Sequence, residues 1–260
     1  MINIRTETEI DALRAACSLT AEAMAIAGEM VNPGVGTDEI ADAVQAYIES
    51  KGGKAAFLGY NGFPGAMCVS LNDQVVHGIP GERKLRDGDL VKLDLGAYLG
   101  GYYGDMARTY PVGEVSAEAM TLVEVTRESF FRGIAAAAPG KHTGDIGFAI
   151  QAHAEEHGFS VVRSLVGHGI GRNLHEEPQV PNFGRPGRGY ALRKGMVLAV
   201  EPMVNMGGYQ VDTLDDDWTV VTSDGSLSAH YENTIVIREG YPEILTLMSW
   251  EEESWQKTIP

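Results

Sequence analysis

PGVGTDEIADAVQAYIESKG (Pro33–Gly52) and PGKHTGDIGFAIQAHAEEHG (Pro139–Gly158) lie 106 residues apart and agree at nine of twenty positions. The matches are Pro33/Pro139, Gly34/Gly140, Thr37/Thr143, Ile40/Ile146, Ala43/Ala149, Gln45/Gln151, Ala46/Ala152, Glu49/Glu155 and Gly52/Gly158. Each copy reads as a short helix with a threonine N-cap, an acidic first turn and a closing glycine. Apolar positions recur at helical spacing, Ile40, Ala43, Val44, Tyr47 and Ile48 in one copy and Ile146, Ala149, Ile150 and Ala154 in the other.

Working outward, each copy follows a longer helical stretch, Thr8–Met30 and Ser116–Ala138, and precedes strand-like runs that include Leu90–Leu95 and Met196–Val200. The chain therefore reads as two related halves of helix, helix and strands, about 8–113 and 114–240. Two copies are too few for a solenoid, which needs at least three. No Pro/Gly/Ser-rich linker parts them, so the expectation is one domain over 1–260 with the halves packed together. A site between the halves would draw its ligands from both.

LVKLDLGAYLGGYYGDMARTY (residues 90–110) reads as a β-hairpin with Gly100 and Gly101 at its centre. A turn at Leu99–Gly100 sets Asp94 opposite Asp105; moving the turn by one residue makes them diagonal neighbours. Either way the side chains come close, within ~4.5–8 Å at Cβ. Two carboxylates that near on an apolar hairpin repel unless a cation lies between them. A metal would serve, and so would Arg108 or Lys92.

The second half adds Glu201, which ends the apolar run VLAVEPMVN with no basic neighbour, and Glu232 inside HYENTIVI. Acidic groups in apolar strands are costly unless paired or coordinated. His168 lies in GHGIG, where glycines on both sides let backbone approach a ligand and expose the imidazole. His77 lies in NDQVVHGIP and His175 in NLHEEP. His142, His153 and His157 read as solvated helix positions. His230 shares a face with Glu232 by strand alternation and reads as an outer position behind it. Two Asp, two Glu and one His form a hard, oxygen-rich donor set suited to Mn²⁺, Fe²⁺, Co²⁺ or Zn²⁺. Four carboxylates could neutralise two such ions, and metals paired at about 3.5–4 Å are a hydrolytic arrangement.

The bulk numbers narrow the classes. The net charge of −16 disfavours contact with phosphate backbones, so no direct nucleic-acid partner is expected. No apolar run reaches the roughly 20 residues a membrane helix needs, and the N-terminus lacks a secretory pattern, so no membrane partner is expected. Two cysteines, Cys17 and Cys68, form no disulfide framework or zinc-finger spacing. Together these point to a cytoplasmic protein by default, and a monomer is the default expectation for its oligomeric state.

Taken together, YNGFP, CVSLNDQVVHGIP, LDLGAYLGGYYGDMART, GHGIGRNLHEEPQVPN, VLAVEPMVN and SLSAHYENTIVI, in this order, resemble the type I methionine aminopeptidases of the pita-bread metallopeptidases, from about Ile10 to Thr246. The resemblance implies an α+β pita-bread fold, in which two pseudo-symmetric halves share a central antiparallel sheet covered by helices. It implies Asp94, Asp105, His168, Glu201 and Glu232 as ligands of two divalent ions, Glu201 also as proton carrier, and His77 and His175 as the outer histidines that handle substrate. It also implies a methionine pocket from Tyr60, Phe63, Cys68 and Trp218, with Phe57 and Leu174 close by. Thirty-one positions separate Glu201 from Glu232, too few for the helical insertion of type II enzymes. Asn61, where a basic residue or His is frequent, and Leu174, where Phe is frequent, are departures near the pocket that bear on fine substrate preference. The implied activity is removal of the initiator methionine from nascent polypeptides whose second residue is small, with transient ribosome contact left open. The rival readings are an Xaa-Pro aminopeptidase or dipeptidase, whose usual N-terminal domain this chain has no room for, and a non-catalytic binding protein, which would typically have lost ligands.

Overall fold

Residues 2–248, 251, 255 and 256 are described in the structure, a computed structural model. The one-domain expectation over 1–260 also covers positions 1, 249–250, 252–254 and 257–260, which lie outside the described residues.

Among the described residues four long helices form two pairs, α1 (Glu7–Glu29) with α2 (Thr37–Ser50) and α3 (Ala117–Ala135) with α4 (Thr143–Glu156). Helix α1 begins at a capping box: Thr6 Oγ1 accepts from Glu9 N at 3.4 Å, and the Glu9 carboxylate accepts from Thr6 N at 3.0 Å. The repeat helices start differently from the expectation. Gly36 and His142 are the N-caps, and the matched threonines are the first helical residues. The acidic residues close the turn instead, Glu39 accepting from Gly36 N at 3.2 Å and Asp145 from His142 N at 2.8 Å. This frees the threonine hydroxyls to tie each helix to a distant loop. Thr37 Oγ1 donates to Gly81 O at 2.8 Å, and Thr143 Oγ1 accepts from Tyr190 N at 3.2 Å. Both helices end at the expected glycines, Gly52 (φ 79°) and Gly158 (φ 80°).

The central sheet is antiparallel throughout and has nine strands. We number them β1 (Lys54–Ala55), β2 (Cys68–Leu71), β3 (Leu90–Leu99), β4 (Tyr102–Pro111), β5 (Val166–Gly169), β6 (Glu176–Pro181), β7 (Val197–Val200), β8 (Glu232–Val236) and β9 (Glu243–Ile244). Their order is β1-β3-β4-β8-β7-β5-β6, with β2 also on β3 and β9 on β8. The first half contributes β1–β4 and the second β5–β9; the seam is β4 against β8, where Glu232 faces Ala107 and Asn233 faces Met106. This is the pita-bread α+β arrangement. A small sheet crosses the halves as well, pairing Val220–Thr222 with Gln74–Val76 and with Val211–Thr213.

The hairpin register settles the alternative left open by the sequence. Gly100 (φ 60°) and Gly101 (φ 91°) both take left-handed angles, so they alone form the turn and Leu99 pairs with Tyr102. Asp94 then faces Ala107 and Asp105 faces Gly96, a diagonal pair and not an opposed one. Each helix pair caps its own apolar core, Leu19, Met24, Ile40 and Val44 over Leu93 and Leu95 in one half, Phe130, Ile134, Ile146 and Ile150 over Leu198 and Val200 in the other. Against the hairpin α1 sits nearly in backbone contact, because a Cβ at Gly104 would stand 2.8 Å from Cys17 N and Cα.

That contact makes a stability prediction. Gly104→Ala should push α1 off β4 and cost about 1–3 kcal/mol, read as a lowered urea midpoint at unchanged slope. An unshifted midpoint would mean that the helix is not seated on the strand.

Candidate metal centre

Asp94 on β3, Asp105 on β4, Glu232 on β8, Glu201 directly after β7 and His168 on β5 come from five strands adjacent in the sheet, so strand pairing alone carries them to one place. His168 Nε2 lies 3.8 Å from Asp105 Oδ2 and 3.5 Å from Glu201 Oε1. Donor atoms of Asp105, His168 and Glu232 lie within 4.8 Å of one another, as do those of Glu201, His230 and Glu232. His230 is 1% exposed and does not line the cavity that Glu201 and Glu232 line; its Nε2 stands behind them, 3.8 Å from Glu201 Oε2 and 3.9 Å from Glu232 Oε2, in keeping with an outer position. Strand alternation carried that signal in the sequence.

Neither basic candidate quenches the cluster. Lys92 Nζ donates to Asn72 O at 2.7 Å. Arg108 pairs with Glu251 at 2.7 Å and donates to the Glu232 and Ala107 carbonyls and to Asn233 Oδ1. Among the described residues, Asp94 Oδ1, Asp105 Oδ1, Glu232 Oε1 and both His230 ring nitrogens are buried without a hydrogen-bond partner. Burial first, then mutual repulsion, raises the carboxyls. Asp94 rises to about 7 by burial, and Asp105, Glu201 and Glu232 stand well above their usual range. Burial also lowers His168 and His230 to about 3. His168 Nδ1 donates to Gly169 O at 2.9 Å, so its proton is on Nδ1 and Nε2 offers a bare lone pair. Unpartnered acceptors converging on an unprotonated imidazole nitrogen are a donor set that fits a divalent cation.

The glycines beside His168 serve packing and not ligand approach. A side chain at Gly167 would strike Ala199 O, and one at Gly169 would strike Glu177 O, because β5 is pressed between β7 and β6. Among the helix histidines, His157 is exposed and His142 half-buried, but His153 is 9% exposed and meets Glu128 at 3.0 Å, because α4 packs against α3 there.

The cluster forms the floor of a cavity of about 200 Å³. Its walls are Phe57, Tyr60, Asn61, Phe63, Cys68, Leu174 and Trp218, with His77 and His175 between wall and floor, so every residue singled out for the site lines one space. Tyr60 Oη and His175 Nδ1 are 2.8 Å apart, and the His175 ring centroid is 4.2 Å from that of His168. His77 takes a left-handed φ of 60°, rare for a residue with a side chain. Trp218 meets Phe63 edge-on at 5.1 Å. Asp216, which the sequence did not single out, holds Trp218 by accepting from its N–H at 2.9 Å and from Thr219 N at 2.7 Å.

The sequence profile of metallopeptidase family M24 matches residues 11–239. The chain belongs to metallopeptidase family M24. It is 52% identical to a methionine aminopeptidase of Clostridium perfringens across 95% of this chain and 100% of the relative, and 48% identical to methionine aminopeptidase 1 of Bacillus subtilis across 95% and 99%. The crystal structure of methionine aminopeptidase from Rickettsia prowazekii superposes with a TM-score of 0.93 at 44% identity, covering 95% of this chain and 100% of that one. As an M24 metallopeptidase the chain carries, in its buried acid–histidine cluster, donors suited to divalent metal.

The cluster's electrostatics can be checked without metal. Each carboxyl has a folded pKa above its unfolded value of about 4, so the stability it contributes is present below that value and is lost as pH rises through the folded value. Asparagine cannot ionise and escapes this loss. Chelated Asp105→Asn should therefore differ least from the wild-type melting temperature near pH 4, exceed it increasingly toward pH 8, and show little of the wild-type rise on adding metal. Equal melting temperatures at both pH values would contradict the account.

Proposed function

We propose that the chain hydrolyses the N-terminal methionine from nascent polypeptides whose second residue is small, as a type I methionine aminopeptidase. The observation that carries this reading is the single cavity in which an apolar, aromatic slot opens directly onto the acid–histidine cluster. Full-length identity to proteins named methionine aminopeptidase supports it independently. In this reading residues 1–260 form one catalytic domain whose halves, 8–113 and 114–240, share one sheet. It acts as a monomer in the cytoplasm, with nascent N-termini as partners; transient ribosome contact is compatible with it.

Asp94, Asp105, His168, Glu201 and Glu232 would hold two divalent ions, Co²⁺, Mn²⁺, Fe²⁺ or Zn²⁺, whose four positive charges match four carboxylates. Such ions, when bound, supply Lewis acidity and bring a water's pKa toward neutrality. Glu201 carries the water's proton to the departing amine. Its Oε1 faces His168 Nε2 at 3.5 Å and its Oε2 faces His230 at 3.8 Å, with no protein cation holding it ionised. His175 contacts the scissile amide: its Nδ1 is anchored 2.8 Å from Tyr60 Oη, and in the tautomer in which Tyr60 donates there, Nε2 carries the proton that the substrate would meet. His77, held neutral by burial and then by His175, stabilises the tetrahedral intermediate. Tyr60, Phe63, Cys68 and Trp218, with Phe57 and Leu174, accept the methionine side chain, where aromatic edges favour sulfur by roughly 0.3–1.5 kcal/mol.

Metal-loaded enzyme should cleave Met-Ala-Ser with kcat/KM at least ~10²-fold above Met-Leu-Ser, because the histidine side of the cavity leaves little room for a large second residue. Preferential cleavage of Ala-Pro-Ala would favour the Xaa-Pro reading instead. Glu201→Gln should lower kcat by about 10²–10⁴-fold with metal still bound, and wild-type turnover would remove Glu201 from its role as proton carrier.

A further inference from the structure

The residues before α1 reach into the active-site loop. Arg5 N donates to Gly195 O at 2.8 Å, and Arg5 Nη2 donates to both carboxylate oxygens of Glu176, at 2.7 and 2.5 Å. Asn3 Nδ2 adds a bond to Glu176 Oε2 at 2.7 Å. The Arg5 and Glu176 side chains are only 6% and 7% exposed. Glu176 directly follows His175 and folds the preceding turn onto itself, its Oε1 accepting from Arg172 N at 3.0 Å and Asn173 N at 3.1 Å. Gly171, at the start of that turn, lies flat on the guanidinium: a Cβ there would stand 2.7 Å from Arg5 Cζ.

The loop's other ties are few: Tyr103 N donates to Gly171 O at 2.9 Å, Arg172 pairs with Glu9 at 3.5 Å and lies over the Tyr102 ring, and Tyr60 Oη meets His175 Nδ1 at 2.8 Å. Arg172, Asn173 and His175 are exposed, and Leu174 is its one large apolar side chain in the core. A segment with so few buried contacts opens readily unless polar bonds close it. Neither Arg5 nor Glu176 lines the cavity. We propose that Arg5, acting through Glu176, is a positioning residue for His175. The proposal rests on the reading above that His175 contacts the scissile amide. A donor displaced by about an ångström loses much of its effect on the transition state while methionine binding in the slot is untouched.

The test is steady-state cleavage of Met-Ala-Ser by metal-loaded Arg5→Ala and Glu176→Gln, each in the wild-type and in the His175→Ala background. In the wild-type background each should lower kcat about 5- to 50-fold with KM altered less than about 2-fold. With His175 gone nothing is left to position, so the same substitutions should change kcat less than about 2-fold. Arg5→Lys, which restores the ion pair, should recover most of the loss. Glu176→Gln keeps the acceptor for the two loop N–H groups, so it reads the effect if Arg5→Ala does not fold. Equal losses in both backgrounds, or wild-type kcat in both single variants, overturn the positioning role alone. Wild-type kcat in His175→Ala overturns the role assigned to His175 and this proposal with it.

Discussion

Everything in this molecule is arranged around an electrostatic debt, four carboxyl groups and two imidazoles largely withdrawn from water with no cation of the described residues among them. Desolvation of that kind opposes folding unless the groups stay neutral or gain a countercharge from outside the chain. The two basic side chains nearest in sequence are occupied elsewhere, Lys92 on a backbone carbonyl and Arg108 on Glu251. Arg108 even braces the cluster from behind, since it donates to the Glu232 carbonyl at 2.6 Å. The protein thus invests in holding the repulsion rigid instead of cancelling it.

Rigidity comes from the seam. With β4 hydrogen-bonded to β8, the aspartates of one half and Glu232 of the other sit on one continuous ladder, and Glu201 follows directly where β7 ends. Their separations are set by strand spacing and not by flexible loops. The duplicated helices stand over the two wings, and their starts are tethered in parallel ways: Gly34 N to Leu85 O in one half, Gly140 N to Leu192 O in the other. Neither half contains the donor set by itself.

Much of this was legible in residue order. The repeat located both helices within a residue or two, because caps, apolar spacing and closing glycines are local signals. That Asp94, Asp105, Glu201 and Glu232 would meet was legible too, because a carboxylate in an apolar strand is conspicuous; His168, in a glycine motif that is weak by itself, rested on the family resemblance. What escaped were choices made by distant partners. Thr37 and Thr143 looked like caps, but Gly81 and Tyr190 claim their hydroxyls. Gly167 and Gly169 looked like ligand-facing glycines, but neighbouring strands need the space. His153 looked solvated until α3 brought Glu128 to it. Asp216 and the Arg5–Glu176 bond span contacts for which a single sequence holds no local cue.

The hydrogen bond between Tyr60 and His175 joins two tasks in one pair of side chains. Tyr60 is wall to the slot proposed to select the first residue and, through its hydroxyl, a support for the histidine assigned to the amide beyond it. Recognition and turnover are therefore mechanically linked. On that reading, a chain evolving toward a bulkier first residue cannot widen the slot at Tyr60 without slackening its own chemistry, so drift in preference is steered to other side chains of the lining, such as Phe57 or Leu174.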